Sequence, residues 1–155
     1  MYLNIGDCAP DFTLKNYDGQ NINLDQLKNQ DFILWFFPKA NTPGWAVEGQ
    51  GFRDEFQKFK NNNIQIVGVS ADSPDKQKKF VEKYNFPFLM LCDESHSMLK
   101  DYKAWGPKKF MGREYDGIHR ISYLIDKKGV VKEVFEKVKT KTHASDILNL
   151  MKNNY

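Results

Sequence analysis

The chain has 155 residues, 41% of them hydrophobic and 28% charged, with a formal net charge of +3; this is the make-up of one soluble domain spanning 1–155, able to bury roughly two-thirds of its unfolded surface. Lysines gather at Lys76, Lys78 and Lys79, at Lys108 and Lys109, and at Lys137, Lys139 and Lys141, but acidic residues lie among or close to most of them, which describes a solvated surface and excludes a nucleic-acid stripe. Residues 1–7 carry no basic segment followed by an apolar run, and no stretch approaches the ~18 apolar residues of a membrane span, so neither a secretory leader nor a membrane partner is expected.

In chain order, Pro10–Leu14 reads as a short extended piece. The turn Asp18-Gly19 and the alternating Ile22-Asn23-Leu24 follow, giving an N-terminal β-hairpin. The run Asp31–Phe37 (DFILWFF) has the near-continuous apolar character of a strand buried on both faces of a parallel sheet. Pro38 ends it, and Asn41-Thr42-Pro43-Gly44 is turn chemistry leading into a helix from Glu48. That helix carries Phe52, Phe56 and Phe59 at i, i+4, i+7 and closes at Asn61–Asn63. Ile64–Ser70 is the next buried strand. Ser73 caps a helix with Pro74 in its first turn and Phe80, Val81 and Tyr84 inward. A short strand is expected at Phe88–Leu91, a helix at Ser95–Trp105, and a long loop at Gly106–Gly117. The strand Arg120–Ile125, a turn at Asp126–Gly129, a strand Val130–Val138 and a closing helix Thr142–Asn153 complete the chain. This order indicates an α/β protein with a mixed central sheet, and ligands of such folds bind at the carboxyl ends of the strands.

The two cysteines, Cys8 and Cys92, lie far apart and match no zinc spacing. Two unpaired thiols suit a reducing compartment, so a cytoplasmic location is expected. Cys92 ends an apolar strand and reads as a small buried hydrophobe. Cys92 and His96 have a Cys-x-x-x-His spacing with no second pair, so no metal and no cofactor are expected. His119 stands beside Arg120, and strand alternation would turn these neighbours to opposite faces.

The segment Phe36-Phe37-Pro38-Lys39-Ala40-Asn41-Thr42-Pro43-Gly44-Trp45-Ala46-Val47-Glu48-Gly49-Gln50-Gly51-Phe52-Arg53-Asp54 resembles the active-site segment of the Q-type peroxiredoxins, the bacterioferritin comigratory proteins of the AhpC/TSA superfamily. The resemblance runs over almost the whole chain, through Gly6-Asp7-x-Ala9-Pro10-Asp11-Phe12, Gly68-Val69-Ser70-x-Asp72-Ser73, Trp105-Gly106 with Lys108-Lys109, and Gly117-Ile118-x-Arg120 with Leu124-Ile125-Asp126-Lys127. It implies a thioredoxin-like fold with the peroxiredoxin N-terminal hairpin. It also implies thioredoxin-dependent reduction of hydrogen peroxide and organic hydroperoxides, in a monomer or weak dimer. In that chemistry a cysteine thiolate in the first turn of a helix, its pKa lowered by the helix N-terminus, attacks the peroxide. A threonine, a proline and an arginine surround it, the arginine donating to the peroxide oxygens.

Carried over residue by residue, the resemblance keeps Pro38, Thr42 and Arg120. It places Trp45 where the peroxidatic cysteine stands and Gln50 where the resolving cysteine usually follows. An indole has only an N–H donor, and glutamine cannot resolve a sulfenic acid. The sequence therefore implies a non-catalytic homologue whose ancestral pocket still admits a hydroperoxide or small anion. The alternatives left open are a thiol peroxidase using Cys8 or Cys92 and a binding or scaffold module, for instance in a hetero-oligomer.

Overall fold

Burial of one strand organises the sheet. The computed structural model describes residues 2–28, 30–36, 50–110 (108–110 in their backbone), 112–119, 121–135 and 147–148. Its elements are β1 (Thr13–Asn16), β2 (Asn21–Asn23), α1 (Leu24–Leu27), β3 (Asp31–Phe36), a helical stretch at 50–54, α2 (Phe56–Asn61), β4 (Ile64–Ser70), α3 (Pro74–Tyr84), β5 (Leu89–Cys92), α4 (Ser97–Asp101), β6 (Trp105–Phe110), β7 (Arg113–Ile118), β8 (Ser122–Ile125) and β9 (Val131–Phe135). Seven strands form a mixed sheet in the order β2-β1-β5-β4-β3-β8-β9. β3, β4 and β5 run parallel, while β8 and β1 are antiparallel to their neighbours β3 and β5.

The apolar run of β3 is explained by two covered faces. Phe32, Leu34 and Phe36 join a core with Phe12, Val69, Tyr102 and Tyr123, and Ile33 and Trp35 join the other with Phe52, Phe59, Phe88 and Met90. This is the period-two alternation of a strand, with hydrophobic side chains in both directions. Phe52 and Phe59 are fully buried as their spacing requires, and Phe56 is half-buried. The expected single helix is interrupted at Glu55, whose φ of −98° and ψ of 5° leave the helical range. α3 follows its sequence signals closely: Ser73 accepts from the Lys76 N–H, Pro74 opens the helix and Asn85 closes it in the left-handed conformation.

Several boundaries differ from expectation. The N-terminal hairpin forms, with Thr13 opposite Asn23, but Leu24 leaves it to begin α1. Asn23 is the reason: its side chain accepts from the Gln26 N–H while the Gln26 side chain accepts from the Asn23 N–H, a capping box. The helix expected over Ser95–Trp105 is only Ser97–Asp101. Its start is fixed by the buried Asp93, whose carboxylate accepts from the Leu99 N–H at 2.8 Å, and Lys103 at φ 59° lies beyond its end. The expected loop Gly106–Gly117 is instead the hairpin β6–β7, with Phe110 opposite Arg113 and Gly112 at φ 80° between them. Counting from that closing pair, Pro107 falls opposite Asp116 at a position whose N–H would face away from the ladder, so a proline fits within the strand. β8 begins at Ser122, two residues later than expected, and of the closing helix residues 147–148 are described and are helical.

One close approach holds the centre. A Cβ on Gly68 would lie 2.6 Å from Met90 Sδ and 3.0 Å from the Trp35 indole. Gly68→Ala is therefore expected to destabilise the fold by about 1–3 kcal/mol through overpacking, measured as a lowered urea midpoint with an unchanged slope.

Candidate functional site

The carboxyl end of β3 is the point where the sequence motif begins. Of the residues singled out there, Gln50 is described; Pro38, Thr42, Trp45 and Arg120 lie outside the described residues. Two described residues that flank them, Phe36 and Ile121, meet. The Phe36 N–H donates to the Ile121 carbonyl at 3.3 Å, so the last described residue before the motif is tied to the residue after Arg120. Tyr102 and Tyr123 pack on the Phe36 ring with centroids 6.0 and 6.2 Å away. Gln50, half-buried, is the first described residue of the helical stretch 50–54. That stretch is fastened by Phe52 on Trp35, with centroids 5.4 Å apart, and by the Arg53 guanidinium, which donates to the Tyr84 carbonyl at 2.8 Å.

His119 is placed differently from expectation. It lies between β7 and β8 rather than in a strand, so the alternation argument does not apply to it. Its N–H donates to the Ala104 carbonyl at 2.6 Å. Its Nδ1 lies 3.3 Å from the Tyr2 hydroxyl. Nothing in the sequence pairs Tyr2 with His119 across so long a separation.

The two thiols fall at opposite ends of the sheet. Cys92 ends β5 opposite Ser70, at the same pole as Phe36. It is buried, as expected, but is more than a small hydrophobe: its thiol donates to Gln77 Oε1 at 3.1 Å. Gln77 is itself fully buried and donates to the Leu91 carbonyl at 2.7 Å. Burial, reinforced by the nearby Glu94 and Asp72 charges, pushes the Cys92 thiol up from 9.0 to about 12. Cys8 is exposed and bridges Val130, beside the turn Asp126–Gly129. Since β8 runs antiparallel to β3 and ends opposite Phe32, that turn and Cys8 sit at the amino-end pole of β3. A polar cleft of about 520 Å³ opens at that pole too, around Asp31, Asn63, Lys127 and Lys132.

Other residues of the motif set are structural where described. Ser70 donates to Asp72 at 3.0 Å, and Ser73 caps α3. His96, of the Cys-x-x-x-His spacing, stacks its ring on Trp105 with centroids 4.2 Å apart. Among the described residues no three His, Cys, Asp or Glu side chains are grouped to hold a metal ion, and no helix is long and apolar enough to cross a membrane.

A profile of the AhpC/TSA family matches residues 5–134. The chain is 42% identical over 150 residues to peroxiredoxin Bcp of Escherichia coli K12, covering 97% of this chain and 96% of that one. It is 41% identical over 152 residues to peroxiredoxin Bcp of Bacillus subtilis 168, covering 98% and 97%. A cysteine-to-serine mutant of Xylella fastidiosa PrxQ superposes with a TM-score of 0.91 at 29% identity, over 99% of this chain and 98% of that one. The architecture is thus the thioredoxin-like peroxiredoxin fold, a mixed sheet flanked by helices, as the resemblance implied.

The setting of Cys92 has a measurable pH signature. Its folded pKa is raised, so the stability it contributes is present in full below about 9 and is lost as pH rises toward about 12. The stability advantage of the native chain over Cys92→Ala, from urea unfolding, is expected to shrink across that window. In the folded chain a thiol-reactive disulfide should label Cys8 and spare Cys92.

Proposed function

The chain belongs to the Bcp/PrxQ peroxiredoxins of the AhpC/TSA family, and we propose that it is a member without the thiol cycle, keeping the family pocket as a binding site for a hydroperoxide or another small anion. One observation carries the reading: the chain holds two cysteines, and neither has the setting of a peroxidatic thiol. The nucleophile that cleaves an O–O bond is a thiolate. With a pKa of about 12, on the order of one Cys92 in 10⁵ is ionised near neutral pH. Its sulfur also faces Gln77 in the interior. Cys8 is accessible, but it stands at the other end of β3, whose six residues span roughly 20 Å.

At the family's own positions stand Trp45 and Gln50. The indole brings no ionisable nucleophile and the amide no second sulfur, so neither sulfenate nor disulfide forms there. Thioredoxin, the family reductant, then has nothing at these positions to reduce. What the sequence retains is the recognition set: Arg120, whose guanidinium is a permanent cation with a fork of donors, together with Thr42 and Pro38. A small oxyanion, or the polar oxygens of a hydroperoxide, satisfies such donors without any electron transfer. The unpaired thiols favour a cytoplasmic location, and the family likeness favours a monomer or weak dimer.

Hydroperoxide consumption in the presence of a thioredoxin system tests the reading. The native chain is expected at the uncatalysed rate, unchanged in Cys8→Ser and Cys92→Ser. The double substitution Trp45→Cys with Gln50→Cys is expected to restore turnover, because the surrounding residues are kept. Turnover by the native chain that vanishes in either serine variant would instead establish a relocated thiol peroxidase.

A further inference from the structure

At the amino-end pole of β3, the polar cleft of about 520 Å³ is walled by three separate stretches: the entry to β3 at Asp31, the corner between α2 and β4 at Asn63, and the turn between β8 and β9 at Asp126–Lys128. Hydrogen bonds fix each wall. Asp31 Oδ1 accepts from the Lys127 N–H at 3.0 Å, across 96 positions of sequence, and its Oδ2 lies 3.5 Å from Lys132 Nζ. Asp126 Oδ1 accepts from the N–H groups of Lys128 and Val130 at 2.9 and 3.0 Å. The Asn62 side chain donates to the Lys58 carbonyl at 2.7 Å, and Asn63 turns the chain at φ 58°.

These bonds leave the ammonium groups of Lys127 and Lys128, and the carboxamides of Gln30 and Asn63, in the lining without a hydrogen bond or ion pair among the described residues. Lys132 offsets Asp31, and Asp126 stands against two lysines, so the cleft is net positive. Its size is that of a small-molecule site, but such sites are ordinarily lined mostly by apolar side chains. Here no aromatic or aliphatic side chain is among the described lining residues, so a nucleobase finds no surface on which to stack. A phosphate monoester carries close to two negative charges near neutral pH and so matches two ammonium groups, where a carboxylate matches one. Hydroxyls both donate and accept, which suits carboxamides and the Asp126 Oδ2 that the turn does not use. We propose that this cleft binds a phosphorylated polyol of the sugar phosphate class, its phosphate on Lys127 and Lys128 and its hydroxyls on Gln30, Asn63 and Asp126. Neither cysteine takes part.

Titration of the full-length chain with glycerol 3-phosphate and with glucose 6-phosphate at low ionic strength, followed by amide NMR, tests this. Saturable shifts are expected at Asn63, Lys127 and Lys128 with at least one of the two, while inorganic phosphate and glucose each bind about tenfold more weakly. Lys127→Gln with Lys128→Gln is expected to weaken the sugar phosphate about tenfold; both residues are exposed, and the amide spectrum checks that the fold is kept. Asn63→Gly suits the left-handed backbone there while removing the carboxamide, and about a threefold loss is expected. Failure of both phosphorylated polyols to bind up to ~10 mM, or binding unchanged in the double-lysine variant, would overturn the proposal. Inorganic phosphate binding as tightly as either would overturn it as well, because the hydroxyls would then contribute nothing.

Discussion

The burial of β3 between two neighbours of opposite direction governs the rest of this molecule. Five of its six residues are buried, so side chains on both faces and both ladders are committed to the interior. β4 beside it supplies Gly68, whose missing Cβ admits Trp35 and Met90. β8 on the other side brings Ile121 to Phe36. Phe36, the last described residue before the motif, and Ile121, the residue after position 120, thus meet at one end of the core. A slip of one residue in β3 would exchange its two core faces and undo that meeting.

The same topology places the two thiols at opposite poles of the sheet. Parallel pairing carries Cys92 to the functional pole, but as the last residue of a buried strand, where desolvation and the Gln77 amide keep it a thiol. Antiparallel pairing of β8 and its turn carries Cys8 to the other pole. Burial and location are therefore divided between two residues: Cys92 is buried at the Phe36 pole of the sheet, and Cys8 is exposed at the other. A peroxidatic cysteine needs accessibility together with an electropositive setting.

Much of this was legible in the sequence because the strongest signals are local. The DFILWF stretch of β3, the Ser73-Pro74 start of α3 and the inward Phe52 and Phe59 each follow from periodicity or capping, and each lies where expected. The boundaries that moved depend on contacts that periodicity does not carry. Leu24 reads as a strand residue until Asn23 and Gln26 are recognised as the two halves of a capping box. Residues 95–105 read as helix because Met98, Leu99 and Tyr102 are apolar at helical spacing, yet Asp93 and Lys103 confine the helix to Ser97–Asp101. The 106–117 segment hides its ladder behind Pro107, a residue that usually argues against a strand. At the site, family likeness assigned roles to Pro38, Thr42, Trp45, Gln50 and Arg120, whereas the Tyr2–His119 contact joins residues 117 positions apart and leaves no local trace.

Sulfur decides whether this chain can turn over a peroxide, so trapping its oxidation is the decisive measurement. The native chain would be exposed briefly to hydrogen peroxide with dimedone present, and both cysteine-containing peptides followed by mass spectrometry. The account predicts no sulfenic-acid adduct and no disulfide at Cys92, and at Cys8 only the slow oxidation of an ordinary surface thiol. A dimedone adduct forming at either cysteine as fast as in an active Bcp peroxiredoxin treated alongside would contradict it.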